Sequence, residues 1–395
     1  MDGLKSLEEG LRDWQRVALE EWRKYDFRGI IEVVTGGGKT RFALAAASAW
    51  LAGQGSDAAV LIIVPTTALQ DQWYVNLTSD LGIEPEKISL WPEKRDVTAK
   101  FHVMVVNTAR NRAQELARVR PNLLLIADEC HRYASLENAR SLEVRSSASL
   151  GLTATAEREY DDGLERVLVP NLGPIIFRYS LAEARKDGVI SNFDLFNVRV
   201  PFDSDEKMQY DKATRALGAA IASGDEERAK RIAMRRSSIV KNAISRVTSV
   251  VVIAEKLRGK RMIVFHEDIA MANLITELLR DRGHRVVAFH TRISKDLRRD
   301  NLRMFKAGLA DVLVCCRALD EGLDVPEAEC AILAASTASH RQRVQRLGRV
   351  LRTHDSKERA IVYTLYVSDQ EEERLSREIE LLAGISEIRW QELSH

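Results

Sequence analysis

A chain of 395 residues with 45% hydrophobic content is long enough for two or three domains with sizeable cores, which excludes a disordered or fibrous polypeptide. Its net charge of +1 names no polyanionic partner for the chain as a whole, so any such site must come from local clustering. The four cysteines (Cys130, Cys315, Cys316, Cys330) lack C-x-x-C spacing, and no run approaches the ~18 apolar residues of a membrane span; the expectation is a cytoplasmic protein with reduced core thiols, no zinc and no membrane.

In chain order, Leu4 to Lys24 has helical spacing of Leu, Trp, Val and Ala, with Arg12 and Gln15 on the same helix. A Gln amide can read an adenine edge, and a guanidinium can stack on the base. An apolar strand, Ile30 to Val34, then runs into Thr35-Gly36-Gly37-Gly38-Lys39-Thr40 and an alanine-rich helix, Phe42 to Leu51. Strand, glycine loop, Lys-Thr and helix is the layout of a phosphate-binding loop. Glycines let backbone N–H groups turn around an anion, and the helix adds its positive end. Lys39 is expected at the β- and γ-phosphates of ATP and the Thr40 hydroxyl at Mg²⁺. One departure is Val33, where the common pattern begins with glycine.

Four more apolar strands follow, each ending in a short polar cluster. Ala58 to Val64 ends at Pro65-Thr66 and leads into a helix holding Gln72 and Trp73; Phe101 to Val106 ends at Asn107-Thr108. Leu123 to Ala127 ends at Asp128-Glu129-Cys130-His131, and Leu150 to Leu152 ends at Thr153-Ala154-Thr155. Apolar strands alternating with helices predict an α/β fold with a parallel sheet covered on both faces, whose ligands bind at the carboxyl ends of the strands. There Asp128 is expected as an outer ligand of Mg²⁺, and Glu129 as the group that orients or deprotonates a water attacking the γ-phosphate.

A break falls near Pro170 to Pro174, so the first domain is expected over 1–174 and the second over 175–395. Ile175 to Pro201 reads as an extended crossing segment, and 204–258 as a helical insertion in the second domain. From Arg228 to Arg258 nine Lys or Arg face one acid, Glu255, so a cationic helix face is expected there. Strand and helix then alternate again from Arg261 to Val367, and Glu371 to Leu382 reads as a closing helix. Between His340 and Arg352 lies an arginine-rich helix without an acid. Arg349 and Arg352, three apart, could lean onto the γ-phosphate of a nucleotide held by the first domain, as arginine fingers do.

These segments, in this order and spacing, resemble a superfamily 2 helicase core of the DExH type, in the branch of XPB, UvsW and the restriction-motor ATPases. Arg12 and Gln15 resemble the Q motif, Thr35 to Thr40 motif I, Pro65 to Trp73 motif Ia, Asp128-Glu-Cys-His131 motif II and Thr153-Ala-Thr155 motif III. Ile263-Val-Phe265-His266 resembles motif IV, Asp320 to Pro326 motif V, and Gln345-Arg346-x-Gly348-Arg349-x-x-Arg352 motif VI. The resemblance implies two tandem RecA-like domains and ATP hydrolysis with Mg²⁺ by motifs I, II and VI, with Gln345, Arg349 and Arg352 catalytic. It implies Gly322 and Asp324 at the nucleotide. Pro65, Thr66, Gln72, Asn107, Thr108 and His266 are implied at a nucleic-acid backbone, and His131, Thr153 and Thr155 in coupling the two sites. Where motif V often carries Thr, this chain has Cys316, and the neighbouring Arg317 is expected to take over its phosphate contact. DNA is favoured over RNA by the XPB-like resemblance. The alternatives are an ATP-gated nucleic-acid clamp with little hydrolysis, or the motor subunit of a larger repair or restriction-defence assembly whose specificity or nuclease function lies in a partner protein.

Overall fold

A computed structural model describes residues 10–34, 36–154, 163–189, 193–316, 328–335, 360–379 and 386–392. The chain divides into two compact units, residues 1–190 and 191–395, each built on a seven-stranded sheet whose paired strands all run parallel.

The first sheet has the order β3-β4-β2-β5-β6-β1-β7. Its strands are β1 (Arg28–Val33), β2 (Ala59–Val64), β3 (Ile88–Trp91), β4 (Phe101–Val105), β5 (Leu123–Ala127), β6 (Ala148–Thr153) and β7 (Ile175–Tyr179). The inner strands read as unbroken apolar runs because both faces are covered. In β2, Val60, Ile62 and Val64 pack on one face, while Ala59, Leu61 and Ile63 pack on the other. Helices α1 (Asp13–Lys24), α2 (Lys39–Ala52) and α3 (Thr67–Val75) cover the first face with Trp14, Trp22, Phe42, Trp50 and Trp73. Helix α4 (Val106–Val119) covers the second with Ala109, Ala113 and Leu116. Each large apolar side chain buried this way contributes about 1.5–3 kcal/mol. Parallel order brings the strand-end clusters at Val33, Val64, Val105, Ala127 and Thr153 to one edge of the sheet.

The division falls at Ile190, not at Pro174. The reason is β7: it pairs with β1, the Pro174 carbonyl accepts from Ile30 N–H at 2.7 Å, and the Tyr179 carbonyl accepts from Val34 N–H at 2.9 Å. The stretch expected to cross between domains is therefore split, its first half completing the first sheet and Phe193–Arg199 entering the second.

The second sheet has the order β10-β11-β9-β12-β13-β8-β14. Its strands are β8 (Phe193–Arg199), β9 (Met262–His266), β10 (Val286–Phe289), β11 (Val312–Cys316), β12 (Cys330–Leu333), β13 (Ala360–Tyr366) and β14 (Ser386–Glu392). All four cysteines are buried thiols outside any disulfide. The helical stretch expected over 204–258 consists of α5 (Ser204–Ala222), α6 (Glu226–Lys241) and α7 (Ile244–Lys256). Only α5 and α6 form an inserted hairpin, packed on each other, and α6 buries no residue. Helix α7 belongs to the domain itself: Val247, Val250, Ile253 and Ala254 enter the second core beside α8 (Ile269–Asp281). Glu226–Lys256 is the stretch among the described residues long and apolar enough to cross a membrane, but its apolar part is this core helix.

The charge count over this region also divides. Arg246 is fully buried on α7, not part of a cationic surface. Its guanidinium donates to the carbonyls of Val240 (2.9 Å), Ala334 (2.6 Å) and Leu365 (2.8 Å), and to both carboxylate oxygens of Glu371 (2.7 Å each). Five N–H groups meet five acceptors, which ties α7 to the carboxyl ends of β12 and β13 and to helix α9 (Asp369–Ile379).

Each unit also seals in a neutral histidine. His102 on β4 and His266 at the end of β9 are held down to about 4, chiefly because burial disfavours the imidazolium. Trp91 Nε1 donates to His102 Nδ1 at 3.4 Å, and Asp268 N–H donates to His266 Nδ1 at 3.0 Å. With the folded-state value depressed below the ordinary 6.5, the unfolded chain binds the proton first, so stability is lost as pH falls below 6.5. At about 1.4 kcal/mol per pH unit each, the two sites predict a falling melting temperature already between pH 6.5 and 5, above the usual carboxylate range. A melting temperature that stays level over that interval would contradict this.

Candidate nucleotide site and strand ends

The loop between β1 and α2 is shaped by its glycines. Gly38, the residue before α2, sits at φ 104°, a left-handed conformation that side chains with a Cβ rarely adopt. A Cβ on Gly37 would lie 2.5 Å from Val33 Cγ1 and 2.9 Å from the Val34 carbonyl oxygen. Lys39 opens α2 with its side chain buried; Nζ donates to the Val33 carbonyl at 3.3 Å and lies 3.8 Å from Glu129 Oε1. Thr40 is the second residue of α2 and half-buried. The helix start, a buried cation and a hydroxyl thus meet at one end of the sheet.

Arg12 and Gln15 reach this loop from α1. Arg12 Nη1 donates to the Gly37 carbonyl at 2.9 Å, and Gln15 Nε2 donates to the Gly38 carbonyl at 3.1 Å. Gln15 Oε1 accepts from Arg12 N–H at 2.9 Å, and the side chain is 1% exposed. Here the pair braces the loop's backbone, a contact that sequence spacing did not suggest.

At the end of β5, Asp128 N–H donates to the Ile63 carbonyl at 3.0 Å, fixing the turn to neighbouring β2. Asp128 Oδ1 accepts from Glu129 N–H at 3.0 Å, and Oδ2 accepts from the Trp73 indole N–H at 2.9 Å. Burial, with the adjacent Glu129 carboxylate, raises Asp128 to about 6, against the pull of the Trp73 hydrogen bond and Lys39. The Tyr133 hydroxyl lies 2.8 Å from the Asp128 carbonyl and 3.0 Å from that of Ile63, so its one proton is shared between these two acceptors. Trp73 closes motif Ia with no role assigned to its indole, and Tyr133 belongs to none of the motifs. The available signal was that a buried indole or phenol hydroxyl needs a polar partner.

Glu129 adopts φ 50°, left-handed and uncommon for a residue with a side chain. The turn aims its carboxylate back over the sheet edge: Oε1 faces Lys39, and Oε2 lies 3.4 Å from His131 Nδ1. The same His131 nitrogen is 3.0 Å from Thr153 Oγ1 at the end of β6. Lys39, Glu129, His131 and Thr153 therefore form one polar chain across three strand ends.

The expected nucleic-acid contacts divide. Pro65 and Thr66 are half-buried at the start of α3, where Thr66 Oγ1 accepts from Leu69 N–H at 3.4 Å. Asn107 is exposed and Thr108 half-buried on the first turn of α4. Gln72 and His266 are not presented to solvent: they are 3% and 1% exposed, Gln72 because α3 is buried nearly all round, from Ala68 to Trp73, His266 because it supports the turn to Asp268. Thr35, Thr155, Arg317, Gly322, Asp324, Gln345, Arg349 and Arg352 lie outside the described residues.

Among the described residues no three His, Cys, Asp or Glu side chains gather into a metal cage. What the site offers is the Thr40 hydroxyl and the neighbouring carboxylates of Asp128 and Glu129, all hard oxygen donors, with Glu129 facing Lys39. That set fits Mg²⁺, which keeps most of its waters and leans on one or two carboxylates plus substrate phosphates.

Comparison with known proteins adds the lineage. Residues 8–158 match the family model of the type III restriction enzyme res subunit, and residues 242–354 match the helicase conserved C-terminal domain. The DNA 3'-5' translocase XPB2 of Sulfurisphaera tokodaii is 32% identical over 391 residues, covering 93% of this chain and 84% of that protein. The chain belongs to the superfamily 2 helicases, in the XPB and restriction-motor branch. The DNA 3'-5' helicase XPB of Mycobacterium tuberculosis is 28% identical over 91% of the helicase core described here, which spans 61% of that longer protein. The fold agrees: Saccharomyces cerevisiae Dbp5, solved with RNA and ADP BeF3, superposes with a TM-score of 0.67 over 99% of this core and 92% of its own chain, at 13% identity. Both sheets are thus RecA-like domains in tandem.

Proposed function

We propose that this helicase core is a DNA-stimulated ATPase that moves 3'→5' along DNA, with ATP and Mg²⁺ at the β1–α2 loop. The observation that carries this reading is Glu129, turned by its left-handed backbone to lie between the loop lysine and the His131–Thr153 pair. Backbone amides of the glycine loop and the start of α2 would hold the phosphates, and Lys39 would leave Val33 and Glu129 for the β- and γ-oxygens. Thr40 and Asp128 are the donors for Mg²⁺, whose contribution is to neutralise charge on the phosphate oxygens. Glu129 accepts the proton of the water that attacks the γ-phosphorus, as the P–O bond to the β-phosphate breaks and ADP leaves. The His131–Thr153 contact joins that carboxylate to β6, a path by which strand contact at the sheet edge would be felt at the γ-phosphate. Gln345, Arg349 and Arg352 keep the roles that the resemblance gives them. Backbone grip through Pro65, Thr66, Asn107 and Thr108 is independent of base sequence, so sequence choice is assigned to a partner protein.

ATP turnover should be measured with single-stranded DNA, duplex DNA, forked DNA and RNA of equal length. DNA is expected to stimulate, and the stimulation to fall steeply between about 50 and 200 mM salt, because phosphate contacts release counterions. Turnover that DNA leaves unchanged would overturn the motor reading, and stimulation by RNA alone would overturn the choice of DNA.

A further inference from the structure

The indole of Trp73 does more than fill the first core. Of the buried indoles with a hydrogen-bond partner, Trp22 donates to the main-chain carbonyl of Ser149 at 2.9 Å and Trp91 to His102. Trp73, 1% exposed, instead donates to the Oδ2 of Asp128, 55 residues along the chain, at 2.9 Å. Asp128 Oδ1 is taken by Glu129 N–H. Two donors from two different elements thus fix the plane of one buried carboxylate and block its rotation. One of those elements, α3, begins beside Pro65 and Thr66, the strand-end residues expected at the nucleic acid.

We infer that Trp73 is a positioning residue: its N–H sets the orientation in which Asp128 receives the hydrated Mg²⁺ of the nucleotide, and makes helix α3 part of the wall of that site. The inference rests on Asp128 being the Mg²⁺-side carboxylate. A purely structural Trp73 would need its rings and no particular partner. A positioning Trp73 needs its N–H. Trp73→Phe keeps an aromatic ring in the core and deletes only the donor side of the indole.

The test is the affinity of a fluorescent ADP analogue, measured in MgCl₂ and in EDTA. In the wild-type protein Mg²⁺ should tighten binding. In Trp73→Phe that Mg²⁺-dependent gain should shrink about tenfold, the worth of a hydrogen bond to a charged group, while affinity in EDTA stays unchanged. In an Asp128→Ala background, Trp73→Phe should have no further effect on the gain, since the two act through one contact. An unchanged gain in folded Trp73→Phe, or an equal loss with and without Asp128, overturns the role of Trp73. A wild-type protein whose ADP affinity ignores Mg²⁺ overturns the reading of Asp128 itself. Should Trp73→Phe not fold, the six indole N–H signals of ¹⁵N-tryptophan-labelled wild-type protein replace it. Mg²⁺ added to the ADP-bound protein should move one of them, and Mg²⁺ added without nucleotide should not; six unmoved signals refute the link.

Discussion

Glu129→Gln is expected to lower ATP turnover by about 10²–10⁴-fold while leaving nucleotide binding nearly intact. The substitution keeps the shape of the side chain and its left-handed turn, and removes only the capacity to take a proton from water. Oε1 stands 3.8 Å from Lys39 Nζ and Oε2 3.4 Å from His131 Nδ1, so the carboxylate is held from two sides in a mostly buried position. An amide there loses attraction to Lys39 but does not collapse the turn, since the backbone hydrogen bonds at Asp128 do not involve the Glu129 side chain. Steady-state turnover together with fluorescent-nucleotide binding separates the two effects. Near-normal turnover in the folded variant would remove Glu129 from the mechanism.

Arg246→Leu is the substitution expected to cost most in stability. It leaves Glu371, 15% exposed, and the carbonyls of Val240, Ala334 and Leu365 without the donor that now serves them all. Breaking one side of a buried, hydrogen-bonded ion pair costs about 3–5 kcal/mol. At roughly 2–4 °C per kcal/mol for a domain of this size, the second unit should melt on the order of 10 °C lower, with the first unit's transition unmoved. Differential scanning calorimetry that resolves the two transitions would check this. Adding Glu371→Leu removes the unpaired carboxylate but also the acceptor of the Val367 N–H at 2.9 Å, so it should recover only part of the loss. A second-unit transition unchanged in Arg246→Leu would mean that the buried network contributes nothing net.

Much of the architecture was legible because inner parallel strands declare themselves. Ala59–Val64 and Leu123–Ala127 are apolar throughout and sit between helical patterns, and their polar ends mark the site. Edge and neighbouring strands do not declare themselves this way. Ile175–Tyr179 and Phe193–Arg199 mix charge with aromatics, Ile88–Trp91 is only four residues long, and Ser386–Glu392 is mostly polar, so none stood out as a sheet strand. The misplaced domain boundary follows directly from the first of these. Long-range partners were the other blind spot. Arg246 counted as one more surface cation because its acceptor, Glu371, lies 125 residues later. The motif residues of the phosphate loop and of Asp128-Glu129 were visible, whereas the indole that holds Asp128 and the brace from Arg12 and Gln15 to the loop carbonyls exist only once the chain is folded.

The place of β8 in the second sheet has a bearing on how the molecule is made. This strand, Phe193–Arg199, lies between β13 and β14, the two strands that come last in the chain, whereas the first sheet draws all its strands from residues 28–179. On a translating ribosome the amino-terminal half can close its sheet while the rest is still being synthesised. The carboxy-terminal half cannot. Phe193–Arg199 must wait, with its backbone groups unpaired, until Ala360–Tyr366 and Ser386–Glu392 have emerged, and that interval is when this chain most needs protection from aggregation.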